Sequence, residues 1–270
     1  MKCRMRFVVL GLLLLPVAAF GHSPEEARIK LGQMKLKFTE SSFVSRARAG
    51  DLEAVQLYLQ AGMDVNAKNQ MGETALLNAA RYGRQDVVVL LLDKGADLKE
   101  REAKNGLDAL MSAASAGKSD TVALLLERGA EVNARDNNNR TALTWAAHYG
   151  HTATARLLLD KGADITVKEK KEGLNALLAA AARGKTETVQ LLLDRGADIN
   201  ARDGHGRTPL MRAAMSGWPE TVRLLLGRGA DAKLKDKEGK TALVLAREYR
   251  QDKELVEMLQ KAGAQQKSKD

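Results

Sequence analysis

The residues best suited to chemistry are four histidines, one cysteine and a few paired acids. His148 and His151 stand three apart, a spacing that can bring two imidazoles to one metal ion when both sit on one helix. Gly150 falls between them and ends a helix there, so the two rings are not expected to share a face. No carboxylate or third ligand accompanies them nearby in the chain, and His151 falls at the start of a second helix. Glu25-Glu26 belongs to a helix start, where acids suit the positive end of the dipole. Gly204-His205-Gly206 reads as a turn tip and not as a phosphate cradle. No nucleophile elbow, phosphate-binding loop or zinc-protease motif occurs. Catalysis, a metal and a cofactor are therefore not expected, and function has to be sought in a surface.

The start of the chain carries its own signal. Lys2, Arg4 and Arg6 precede an apolar run over residues 7–15, which Pro16 breaks. Ala19-Phe20-Gly21 offers small residues for cleavage, and Val17-Ala18-Ala19 is an alternative site. Residues 1–21 are read as an export signal; a membrane anchor fits less well because the run is short. Cleavage would remove three cations and no anion, taking the formal charge from +9 to +6. It would also remove Cys3, the single cysteine, and with it any disulfide, thiol nucleophile or thiolate zinc site. A cysteine-free chain suits an oxidising compartment, and the expected location is outside the cytoplasm, in a periplasm. No later stretch approaches the roughly 20 apolar residues that span a bilayer, so no stable membrane insertion is expected after cleavage.

The positions that remain are organised by a repeat. One glycine recurs at Gly50, Gly83, Gly117, Gly150, Gly184 and Gly217, in steps alternating between 33 and 34. A second recurs at Gly62, Gly95, Gly129, Gly162, Gly196, Gly229 and Gly263 with the same steps. Between them lie a short alanine-rich helix, such as Ala75 to Ala80, and a second helix carrying a leucine triplet, such as Leu157-Leu158-Leu159. Paired alanines let neighbouring helices approach closely. The triplets read as core, because a single unit cannot bury its apolar face alone and must stack. The first glycine should end the first helix and the second should cap the second.

Two-helix units near 33 residues point to ankyrin repeats, and the wording of the units resembles that family. Asp203-Gly204-His205-Gly206-Arg207-Thr208-Pro209-Leu210 matches its repeat opening, and Gly196-Ala197-Asp198-Ile199-Asn200-Ala201 its close. The resemblance implies an all-α solenoid of about seven helix-turn-helix units with hairpin fingers over residues 41–264, preceded by a helical extension over 22–40 and followed by a polar, frayed tail over 265–270. Four motif threonines stand at Thr74, Thr141, Thr208 and Thr241, replaced by Asp108 and Asn175 in two units; both replacements can still cap a helix. The family's usual histidine after the motif leucine is replaced throughout, by residues including Leu77, Met111 and Thr144. Alternate fingers are one residue longer and highly charged, as in Lys99 to Lys104 and Lys168 to Glu172, a sign of a duplicated two-unit block.

At the stack ends, Arg46 and Arg247 replace alanines, as soluble caps should. Ser23-Pro24-Glu25-Glu26 reads as an N-cap, an N1 proline and a capping box opening a helix toward Phe38, with Ile29, Leu31, Met34, Leu36 and Phe38 available for burial.

The resemblance also implies where a partner sits: on the finger tips and the exposed end of each first helix, on the concave side. Those helix positions are Arg81-Tyr82, Ser115-Ala116, His148-Tyr149, Ala182-Arg183 and Met215-Ser216. Tyr82 and Tyr149 occupy equivalent sites two units apart, about 20 Å if neighbouring helices lie about 10 Å apart. The candidate finger residues are Arg135, Asn137, Asn138, Arg140, Arg202, His205 and Arg207. Trp145 and Trp218 are weaker candidates, since each can pack on a neighbour or cover a helix end.

The expected partner is another protein, bound by a monomeric, non-enzymatic scaffold. Nucleic acid is not expected despite a sequence pI near 9.6, because basic and acidic residues alternate, as in Lys233 to Glu238. A structural or stress-related envelope factor is the alternative, with an enzyme's accessory subunit a more distant one.

Overall fold

The computed structural model describes residues 23–249 and 252–267; residues 1–21, read above as an export signal, lie outside them. Among the described residues the first helix, α1 (Pro24–Gln33), precedes seven helix pairs. The inner helices are α2 (Glu40–Ala49), α4 (Ala75–Arg81), α6 (Ala109–Ser115), α8 (Ala142–Tyr149), α10 (Ala176–Ala182), α12 (Pro209–Ser216) and α14 (Ala242–Tyr249). The outer helices are α3 (Leu52–Gln60), α5 (Gln85–Asp93), α7 (Ser119–Glu127), α9 (Thr152–Asp160), α11 (Thr186–Asp194), α13 (Pro219–Gly227) and α15 (Lys253–Lys267). Each inner helix packs on the inner helices beside it and each outer helix on its outer neighbours, giving two parallel layers.

The packing follows from residue size and helical period. The alanine pairs Ala79-Ala80, Ala113-Ala114, Ala146-Ala147, Ala180-Ala181 and Ala213-Ala214 are fully buried where inner helices meet. The leucine triplets are core only in part. Leu91, Leu125, Leu158, Leu192 and Leu225, the middle members, are fully buried, while most flanking leucines are half-exposed. Successive side chains turn by about 100°, so three in a row cannot all face inward. Polar contacts add to the register: hydroxyls of Ser119 and Thr154, Thr152 and Thr188, and Thr186 and Thr221 meet at 2.8 Å between neighbouring outer helices.

Every inner helix after the first begins on a side-chain cap. Thr74, Thr141, Thr208 and Thr241 accept from the backbone N–H three residues on. Asp108 and Asn175 do the same at 2.8 and 2.9 Å, so both replacements keep the cap.

The ends depart from expectation in two ways. The Ser23 capping box forms with Glu26, but α1 stops at Gln33, and Lys35 takes a left-handed φ of 57°. Only Leu31 of the five apolar candidates is fully buried; Leu36 is half-buried, and Ile29, Met34 and Phe38 remain exposed. The extension still closes the stack. α1 packs on α3 in the outer row, Phe38 stacks on Tyr58 at 5.9 Å, and Tyr58 donates its hydroxyl to Lys37 O at 2.7 Å. At the other end, α15 runs through Gly263 to Lys267 instead of stopping there. Gly263 lacks the positive φ of its counterparts, and a glycine costs a helix only about 1 kcal/mol relative to alanine.

Candidate interaction face

The fingers are hairpin turns, with one isolated bridge, Lys68 to Thr74, among the described residues. One side chain organises each turn. Asp136 Oδ1 accepts from the backbone N–H groups of Asn138 and Arg140, both at 2.9 Å. Asp203 and Asp236 repeat this pattern, and Asn69 does so through its amide oxygen. In the longer fingers the same place is held by Glu102 and Glu169, whose extra methylene reaches across the extra residue. Glu169 accepts from the N–H groups of Lys171, Glu172 and Leu174 and from the Asn138 amide. Finger length and carboxylate length therefore vary together.

Main-chain bonds then tie finger to finger: Asn137 N–H to Asn105 O at 2.9 Å, Lys170 N–H to Asn138 O at 2.9 Å, and Lys237 N–H to His205 O at 3.0 Å. The result is a face fixed in advance of any partner.

These bonds carry a pH dependence. For Glu169 desolvation is the largest single influence and raises the pKa, but the N–H groups and the Asn138 amide together outweigh it and hold the carboxyl below its ordinary 4.5. Asp236 is depressed in the same way, and the hydroxyl and N–H of Thr166 depress Asp164. Groups depressed in the folded state contribute stability that is complete above their ordinary range and lost as pH falls through the folded values. Asp108, raised by burial, acts in the opposite sense, its contribution being lost as pH rises. Through Glu169, Asp236 and Asp164 the urea midpoint is expected to fall as pH drops from about 5 toward 3, with Asp108 opposing it. Glu169→Gln should flatten that slope; an unchanged slope would mean that this finger adds nothing.

On α8 the side chains form an aromatic ridge. The Arg140 guanidinium lies 3.9 Å over the Trp145 ring, Tyr149 stacks on Trp145 at 5.9 Å, and His148 sits edge-on to both. Trp145 Nε1 donates to Asp136 Oδ2 at 3.2 Å, which anchors the ridge to its finger. Two hollows flank Trp145. One, of about 650 Å³, runs across α8, α10 and α12 and includes Asn137, Asn138, Arg140, His148, Arg183 and Ser216 in its lining. The other, of about 500 Å³, includes Arg81, Ser115 and Tyr149 together with Met71 and Leu107. Lys104, Asn105 and Trp145 line both.

Ten of the seventeen candidate positions, Ala182 included, thus come together around Trp145. The other seven, Ala116 among them, line neither hollow. Tyr82 lies under the Arg48 guanidinium, 4.6 Å from its ring. Arg202 donates to Gly206 O and Lys235 O at 3.0 and 2.8 Å, a tie between fingers. Arg207 reaches Asp236 at 3.5 Å and Arg135 reaches Asn139 at 3.2 Å. His205 and the half-exposed Met215 stand outside both hollows. Trp145 proves central, Lys104 and Lys171 of the longer charged fingers line the larger hollow, and Asn105 and Arg212 join it without having been singled out. Register was the signal: Arg212 occupies the position of Trp145 two units on, four residues after the cap.

His151 and Trp218 have a different task. Each starts an outer helix and lies over a glycine of the preceding unit, His151 on Gly117 and Trp218 on Gly184. His151 Nε2 lies 3.1 Å from Ser115 O, and since a carbonyl only accepts, that nitrogen carries the proton. Trp218 Nε1 donates to Ala182 O at 3.1 Å. Among the described residues no group of three or more His, Cys, Asp or Glu comes close enough to hold a metal.

A family model for ankyrin repeats matches three overlapping stretches, residues 43–136, 132–203 and 177–270. The chain belongs to the ankyrin-repeat family. The human ASB11 ankyrin repeat domain superposes with a TM-score of 0.71 at 25% identity, covering 82% of this chain and 96% of that one. The mouse 2-5A-dependent ribonuclease is 44% identical over 68 residues, 25% of this chain and 9% of the ribonuclease. The Escherichia coli K12 ankyrin repeat protein YahD is 30% identical over 69 residues, 26% of this chain and 34% of YahD. These matches cover a minor share of both relatives. Ankyrin repeats generally serve protein–protein interaction, and the face around Trp145 brings hollows, aromatics and charge together.

Proposed function

We propose that this ankyrin-repeat chain is a non-enzymatic binding scaffold that holds a protein partner on the inner face around Trp145. The observation that carries this reading is the pair of hollows on either side of Trp145, floored by inner helices and walled by fingers already bonded to one another. A face fixed before binding loses little entropy when a partner docks. The export signal read in residues 1–21 and the absence of cysteine after it support action in a periplasm.

The test is capture. A photo-crosslinking residue at position 149, in the native compartment, should yield one discrete protein adduct. Tyr82→Ala with Tyr149→Ala should weaken capture roughly 30-fold, the scale of a 2 kcal/mol contact residue, with little change in melting temperature. Tyr149→Ala alone should account for most of the loss, because Tyr82 lines neither hollow. Capture unaffected by the double variant would remove the inner face from the account. No adduct, with envelope defects on deletion, would favour a structural role in the envelope.

A further inference from the structure

The two hollows differ in charge, and that difference specifies what fits them. Among the cations lining the larger one, Arg140 is paired with Asp136 at 2.8 Å, and Arg212 with Asp203 at 2.5 Å and Glu172 at 2.8 Å. Lys104, Lys171 and Arg183 are exposed there and have no ion pair among the described residues. The remaining carboxylate, Glu169, is occupied by backbone N–H groups and Asn138. Burial depresses the His148 pKa, and so do the charges of Arg183, Arg140 and Lys185, consistent with a positive potential at this spot.

The smaller hollow is balanced. Arg81 there is held by Glu73 at 3.1 Å and Glu102 at 3.3 Å, and the apolar lining is supplied by Leu107, Tyr149 and Met71, the last of these 72% exposed.

We propose that this face takes an acidic, extended segment of the partner protein, with a carboxylate among Lys104, Lys171 and Arg183 and an apolar side chain across Trp145 against Met71, Leu107 and Tyr149. This rests on the binding-scaffold reading and narrows it to a chemical class. The charge complementarity is one-sided: among the described residues three cations without an ion pair ask for anions in one hollow, while in the other Arg81 is already held by Glu73 and Glu102. A nucleic acid, charged at every residue, would carry phosphate onto those two carboxylates. It would also find the indole already covered by Arg140 and stacked on Tyr149. A peptide alternates charged and apolar side chains and satisfies both hollows. Asn137, exposed on its finger, offers an amide to the peptide main chain.

The experiment pans a random 12-residue phage-displayed peptide library on the purified chain. Enriched peptides are expected to carry Asp or Glu within a few residues of Leu, Met or an aromatic. The best synthetic peptide should bind more tightly as NaCl is lowered. It should lose roughly tenfold or more in affinity to a chain with Lys171→Glu and Arg183→Glu, and a similar amount when its own acids become amides. Both substituted side chains are exposed, so equal melting curves are expected for the variant and the parent.

Enrichment of peptides without acids, or acidic peptides indifferent to the reversals, would overturn the proposal. If Tyr149→Ala still released such peptides, the binding-scaffold reading would survive on its own. A library yielding no peptide would also end the proposal, while the position-149 crosslink decides the broader reading separately. A fluorescent 12-nucleotide oligo-dT that binds more tightly than any peptide, and is released by the same reversals, would put nucleic acid in the partner's place.

Discussion

Gly184→Ala is expected to lower stability by about 2–4 kcal/mol, against about 1 kcal/mol for Gly129→Ala, in urea titrations of the two variants. Both glycines have a left-handed φ, +63° and +93°, which costs an L-residue roughly 1–2 kcal/mol. They differ in what a Cβ would meet. At Gly129 nothing lies within 4 Å, whereas at Gly184 the new carbon would sit 2.4 Å from Trp218 Cδ2. The indole cannot simply swing away, because its Nε1 donates to Ala182 O at 3.1 Å. Relief therefore means losing that bond or shifting α13 against α11, an overpacking cost of about 1–3 kcal/mol. Trp218→Ala in the Gly184→Ala background should recover the steric part. Equal losses at Gly184 and Gly129 would show that the ring does not hold units five and six together.

The same position shows what the sequence made legible and what it hid. The period near 33 gave the architecture because helix pairs of fixed length must repeat at fixed spacing, and capping residues announce themselves by type. The covering role did not. Arg84, Lys118, His151, Lys185 and Trp218 are chemically unlike, yet each lies over the glycine of the unit before. What they share is reach, which residue type conceals and register reveals. The finger carboxylates were hidden for a related reason. Asp136 and Glu169 look like ordinary surface acids until each is seen to stand five or six residues before its capping residue, matched in length to its loop. The interaction face was half legible. Tyr149 and His148 stand at the helix end that the family resemblance singles out, whereas Trp145 and Arg212 lie one turn earlier and enter the hollow only because fingers and helices lean over the same space.

Asp136→Ala is where stability and binding should fail together. The carboxylate is fully buried and serves four donors: the N–H groups of Asn138 and Arg140, the Arg140 guanidinium at 2.8 Å and the Trp145 indole at 3.2 Å. Removing it opens the finger turn and leaves a guanidinium and an indole N–H without their acceptor. Losing one partner of a buried ion pair costs roughly 3–5 kcal/mol. Arg140 is 25% exposed and can turn toward water, so about 2–4 kcal/mol is expected here. Asp136→Asn keeps one oxygen for the turn and should lose roughly half as much, because the charge-assisted bonds to Arg140 go while the backbone bonds stay. With the carboxylate gone, nothing fixes Trp145 between Arg140 and Tyr149, so the ridge dividing the two hollows loses its shape. In a Trp218→Phe background, Trp145 fluorescence should shift toward that of a solvated indole in Asp136→Ala, and partner capture should drop even at temperatures where the chain is still folded. A stability loss with unchanged Trp145 emission and unchanged capture would confine Asp136 to its turn, and would separate the finger's folding role from the face it presents.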